Sequence, residues 1–231
     1  MSHASSPASP PPHTAITPDA WPVWSIRIAS LLFPGALIAA VLLQPYADPK
    51  LMFLDALAAA EFAPACCRPY FGFVSMLGIM LWVITAAVCL FSALILLCTG
   101  ARRGTTLFAL FAGLFTGWLA LDDAFLLHEV ILPEFGIPQN VVLATIALFA
   151  MGYALVAWRR VMASDPLLFL TAGAALATSM AVDTIFHSLD AHLVYLEDGA
   201  KFIGIFCWTT FHVSTMARIL LAGETRGAPE R

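Results

Sequence analysis

Six long apolar runs, separated by short polar segments, organise this chain: about 25–44, 71–98, 105–127, 139–158, 166–188 and 200–222. A helix needs about 20 such residues to cross a hydrocarbon core of roughly 30 Å. None of the runs sustains the period-2 alternation of a membrane β-strand, so the pattern predicts an all-α polytopic bundle of about six transmembrane helices. The first run follows Arg27 and lacks a small-x-small cleavage site, which predicts a retained helix rather than a signal peptide. In the connector 45–69, the stretch Leu51-Met52-Phe53-Leu54-Asp55-Ala56-Leu57 is amphipathic enough to lie along the membrane surface as a short helix. Residues 1–20, rich in Ser, Pro and Ala without periodicity, read as a disordered tail. The expected division is therefore a 1–20 tail, a 21–222 transmembrane domain and a short cytoplasmic tail, 223–231.

Composition agrees with the pattern. The chain has 231 residues, 61% hydrophobic and only 11% charged, too little charge for a soluble domain of this size. Its formal net charge of −4 and the lack of a basic stripe argue against a nucleic-acid partner. The basic residues fall in alternate connectors, Arg102-Arg103, Arg159-Arg160 and Arg218 with Arg226 and Arg231. By the positive-inside rule those ends and both termini are expected in the cytoplasm, with the acidic loops outside. Of five cysteines, only the vicinal pair Cys66-Cys67 is a thiol-ligand or redox candidate; most read as small core residues.

The polar groups set into this apolar chain concentrate in two places, Asp122 to Glu129 and Ser179 to Lys201. Charge at membrane depth costs at least a few kcal/mol per group, so such clustering is a functional-site hypothesis. In the third run, Asp122 and Glu129 are seven apart and share a helix face, Asp123 sits about 100° round, and His128 joins them only if the helix loosens near its end. In the fifth, Ser179, Asp183, His187 and Asp190 fall on one stripe. An Asp and a His one turn apart suit a divalent metal such as zinc or iron, or a carboxylate orienting a metal-bound imidazole. At the start of the sixth run, Glu197 and Asp198 are expected to cap the helix N-terminus and Lys201 to pair with either. Ser75 stands near enough to the same end to join the site. His212, deep in the span, is expected in a helix–helix hydrogen bond, with a haem or proton-relay role as the alternative. The competing structural readings are interfacial capping for the first cluster and a hydrogen-bonded seam between helices for the second.

The motif D-D-x-F-x-L-H-E closing one helix and L-E-D-G-x-K-F-x-G-I opening the last resemble those of uncharacterised bacterial integral membrane proteins, over roughly residues 45–222. More distantly, Ser, Asp and His at membrane-helix ends resemble the CREST superfamily of membrane metal-dependent hydrolases, which includes the alkaline ceramidases. Those enzymes place three His, an Asp and a Ser around zinc on seven spans; here six spans are predicted and the C-terminal H-x-x-x-H is missing. The resemblance implies Ser179, Asp183, His187 and His128 as site residues.

The leading expectation is a metal-dependent hydrolase of the bacterial inner membrane, acting at the outer leaflet on an amide or ester of a lipid. Asp123, His128, Asp183, His187 and His192 are its expected ligands to a divalent metal, zinc by resemblance. Glu129, Glu197 and Ser179 are its expected catalytic groups. The other expectations are an ion- or proton-coupled transporter using the same carboxylates, a b-type haem protein, and a membrane scaffold with a polar seam. The acidic and imidazole groups are expected to draw the third, fifth and sixth helices together.

Overall fold

The computed structural model describes residues 23–65, 68–186 and 191–227. Among these the chain is all-helical. Six helices are long and apolar enough to cross a membrane: α1 (Val23–Leu43), α4 (Phe73–Cys98), α5 (Arg103–Phe125), α7 (Gln139–Ala163), α8 (Pro166–Phe186) and α9 (Ala191–Gly227). In the connectors lie α2 (Pro49–Phe53), α3 (Ala56–Phe62), a π-helical turn (Leu127–Ile131) and the short α6 (Leu132–Glu134). The expected tail 1–20, Cys66-Cys67, His187 and Asp190 fall outside the described residues.

α9 is the organising helix. At 37 residues it is about 55 Å long, well beyond the hydrocarbon thickness. It packs against α8, α4 and α1, while α5 packs mainly on α4. In lipid, helices associate through close packing and interhelical hydrogen bonds, so small residues let backbones approach. At Gly204 of α9, an added Cβ would lie 2.8 Å from Leu176 Cγ and 3.0 Å from its backbone N. At Gly113 of α5 it would lie 2.7 Å from Leu90 Cγ. These two glycines set the α8–α9 and α4–α5 crossings. The peripheral α7 leaves Leu148, Phe149, Leu155 and Val156 exposed, as a lipid-facing helix does.

Several polar side chains in the core are paired across helices. Thr85 Oγ1 donates to Thr209 Oγ1 (2.8 Å), and Trp208 Nε1 donates to Thr116 Oγ1 (3.0 Å). His212, fully buried, lies 2.8 Å from the Tyr153 hydroxyl through Nε2 and 2.9 Å from the Trp208 carbonyl through Nδ1. A carbonyl only accepts, so Nδ1 carries the proton and Tyr153 donates to Nε2. The expected helix–helix hydrogen bond at His212 is present.

Two expectations change. The surface segment after α1 is two short helices, not one: Asp48 caps α2 by accepting from Lys50 N, and Asp55 caps α3 by accepting from Leu57 N and Ala58 N. Phe53 is completely buried against the bundle in a cluster with Val41, Val74, Val194 and Phe202, so this segment forms a lid on the bundle end. The packing of the third, fifth and sixth spans is also rearranged. α8 and α9 pack intimately, but α4 stands beside both α5 and α9, and α5 reaches α9 through side chains.

Candidate functional site at the acidic end of the bundle

The site is built where α5 stops being an α-helix. Leu126 adopts a left-handed conformation (φ 51°, ψ 45°) and is the non-glycine residue with positive φ among those described. A β-carbon there costs about 1–2 kcal/mol, so the surrounding structure must hold it. The next turn is π-helical, with Ile131 N bonded to Leu126 O at 3.2 Å, a geometry frequent at functional sites. This loosened end swings His128 back over the last turn of α5. The buried Asp122 carboxylate then accepts from His128 twice, from the backbone N–H at 3.0 Å and from ring Nδ1 at 2.7 Å. Ring Nε2 faces Glu129, 3.3 Å away. Burial is the largest single influence on the imidazole and lowers its pKa. Hydrogen bonds and charge from Asp122 and Glu129 outweigh it and push the pKa up to about 10, so His128 is an imidazolium at neutral pH.

Asp123, the adjacent residue, points to the other helices. It accepts from Trp82 Nε1 of α4 at 2.8 Å and pairs with Lys201 Nζ of α9 at 2.9 Å. Beside this pair is a cavity of about 10 Å³, lined by Ser75, Asp123, Asp198 and Lys201 among others, polar and large enough for one water. Glu197 lies in electrostatic range of Asp183, Lys201, Glu129 and His128. Asp198 lies in range of Lys201, Glu197, Glu129 and Asp123. The acids of three helices and the π-helical turn therefore share one polar region at the end of the bundle.

Asp183, half-buried near the end of α8, accepts from Gln139 Nε2 at 3.2 Å. With Gln139, Asn140 and Thr184 it lines an open cleft of about 320 Å³ between α7 and α8.

Ser179 is buried one turn below Asp183, and His192 is exposed at the start of α9. Glu197 and Asp198 are not N-terminal caps, because α9 begins at Ala191 and runs through them. Lys201 pairs with Asp123 across the helix interface while staying in electrostatic range of Glu197 and Asp198 on its own helix. Sequence reasoning missed Trp82 and Gln139, whose pairing depends on helix rotation, and left Asp122 out of the expected ligands and catalytic groups, although it brought His128 to the face of Asp122 and Glu129 on condition that the helix loosens. The signal for Asp122 was its six-residue offset from His128, which makes contact only after a helix break.

A zinc set of the CREST type is not assembled among the described residues. No three His, Cys, Asp or Glu side chains stand there in position to hold a metal ion. His128 has Nδ1 committed to Asp122, and His212 has both ring nitrogens committed in the core.

Six helices long and apolar enough to cross a bilayer, carrying a polar cluster at one end, are consistent with the class of polytopic membrane proteins. The chain belongs to the family described as Domain of unknown function (DUF8692), which it matches over residues 28–215. No curated protein and no solved structure matches it. The family description carries no activity, so function rests on the site itself.

Proposed function

We propose that this protein is a membrane hydrolase that cleaves an amide or ester of a lipid at headgroup depth, with His128 as its acid. The observation that carries this reading is the double hold of Asp122 on His128 at a left-handed leucine and a π-helical turn. A helix seam requires neither a strained residue nor a buried imidazolium held between two carboxylates. The open cleft between α7 and α8 has Asp183 in its lining, and Asp183 lies in electrostatic range of Glu197.

In this reading Glu197, in electrostatic range of His128, takes a proton from a water whose oxygen attacks the acyl carbon. His128 then gives its Nε2 proton to the departing nitrogen or oxygen, and Glu197 returns a proton to the imidazole. Asp122 keeps the ring oriented throughout. A zinc ion would supply Lewis acidity, but the described residues do not complete its ligand set. Proton passage across the bundle has less to rest on. Indole N–H groups of Trp82 and Trp208 do not exchange protons readily, and His212 Nδ1–H ends on a carbonyl. By the arginine pattern we assign the site to the outer face, both termini to the cytoplasm and the protein to a bacterial inner membrane.

The test is fatty-acid release, followed by mass spectrometry, from a panel of acyl-amide and acyl-ester lipids by the reconstituted protein. Elemental analysis of the same sample gives its metal content. His128→Gln and Glu197→Gln should each lower turnover about 100-fold or more. Turnover of no lipid by the wild type, with or without added divalent metals, would sink the proposal and leave a scaffold. Undiminished activity in His128→Gln would do the same.

A further inference from the structure

At the opposite end of the bundle, four arginines stand on two helix ends that touch. Arg102 and Arg103 stand at the start of α5, and Arg159 and Arg160 near the end of α7. Arg160 ties the two helix ends together. Its Nη2 donates to Thr105 Oγ1 at 3.3 Å, and its guanidinium carbon lies 5.2 Å from the Phe108 ring centroid. The other three arginines are exposed. Asp165, an acid at this end, is engaged by Arg27 through both carboxylate oxygens at 3.1 and 3.0 Å, so it does not neutralise them.

Below these charges both helices present lipid-facing stripes. On α5, Leu107, Phe111 and Leu114 follow Arg103 at helical spacing and are exposed. On α7, Leu155 and Leu148 descend in the same way from Arg159 and are exposed. Guanidinium groups bind phosphate oxygens in bidentate fashion, and like charges gathered at a membrane surface are relieved by an anionic headgroup.

We infer that this patch seats an anionic phospholipid, its phosphate among Arg102, Arg103 and Arg159 and its chains along the exposed stripes of α5 and α7. The site is independent of the acidic end and of the hydrolase reading.

The experiment titrates phosphatidylglycerol, phosphatidylcholine or inorganic phosphate into the full-length protein in neutral micelles and follows its melting temperature. Phosphatidylglycerol should raise it by about 5 °C, phosphatidylcholine by much less, and added salt should weaken the effect. The triple variant Arg102→Gln, Arg103→Gln, Arg159→Gln should match wild type in phosphatidylcholine and lose most of the phosphatidylglycerol shift. Arg160 is left in place because it joins the helices. Equal shifts from both lipids, an unchanged shift in the variant, or an equal effect of inorganic phosphate would overturn the assignment. Should the variant not fold, native mass spectrometry of the wild type decides: retention of phosphatidylglycerol no greater than of phosphatidylcholine refutes it.

Discussion

Asp122→Asn tests the site most directly, because it keeps the shape of the group that holds His128 and removes its charge. In the wild type, burial lowers the His128 pKa, and Asp122 and Glu129 more than reverse this, to about 10 from an ordinary 6.5. A group whose pKa rises on folding holds its proton more tightly in the folded state. Its stabilisation is therefore complete below about pH 6.5 and is lost as the pH rises through about 10. Across that window the wild type should lose on the order of 3–5 kcal/mol, similar to the cost of breaking a buried ion pair. The amide introduced by Asp122→Asn cannot supply the charge, so His128 in the variant titrates nearer its ordinary value and the variant lacks most of this stabilisation already at about pH 8. Melting temperatures of the two proteins in one detergent should differ by on the order of ten degrees at pH 7 and converge near pH 10 to 11. Lysines and tyrosines titrate in both proteins and cancel in the difference. A difference that stays flat from pH 6 to 10 would show that Asp122 and His128 do not share a proton in the folded protein, and the site argument would fail with it.

Two other expectations concern packing. Lys201→Met should destabilise by about 3–5 kcal/mol, because it strands Asp123 beside Trp82, whereas adding Asp123→Leu should recover part of that loss; strictly additive costs in a double-mutant cycle of thermal melts would refute the pair. Gly113→Ala should cost roughly 1–3 kcal/mol, since its Cβ would sit 2.7 Å from Leu90 Cγ and 3.0 Å from its backbone N, while Gly152→Ala, with nothing within 4 Å, should be neutral or slightly stabilising; equal effects would contradict the α4–α5 crossing.

The sequence by itself determined the number and approximate limits of the membrane-crossing helices. In a bilayer every backbone polar group must be satisfied within its own helix, so an apolar run of sufficient length has one available structure. The observed helices Phe73–Cys98 and Pro166–Phe186 lie within two residues of their apolar runs at each end. The same logic made the polar concentration around Asp122–Glu129 and Asp183–Lys201 legible, because charge is costly there wherever it points. Its partners were not legible. Local periodicity says which residues share a face of one helix, but not how that helix is rotated or how deep it sits against another. Asp123 thus finds Trp82 and Lys201 on two other helices. α9 begins at Ala191 rather than near residue 200, its added turns burying Val194 against the connector helices and setting Glu197 and Asp198 near charges on other helices, partners that exist only after assembly. The His128 geometry was legible only as a condition, that the helix loosen near its end. It depends on Leu126 adopting a conformation that leucine disfavours by itself, and only the packed end of the bundle can hold it there.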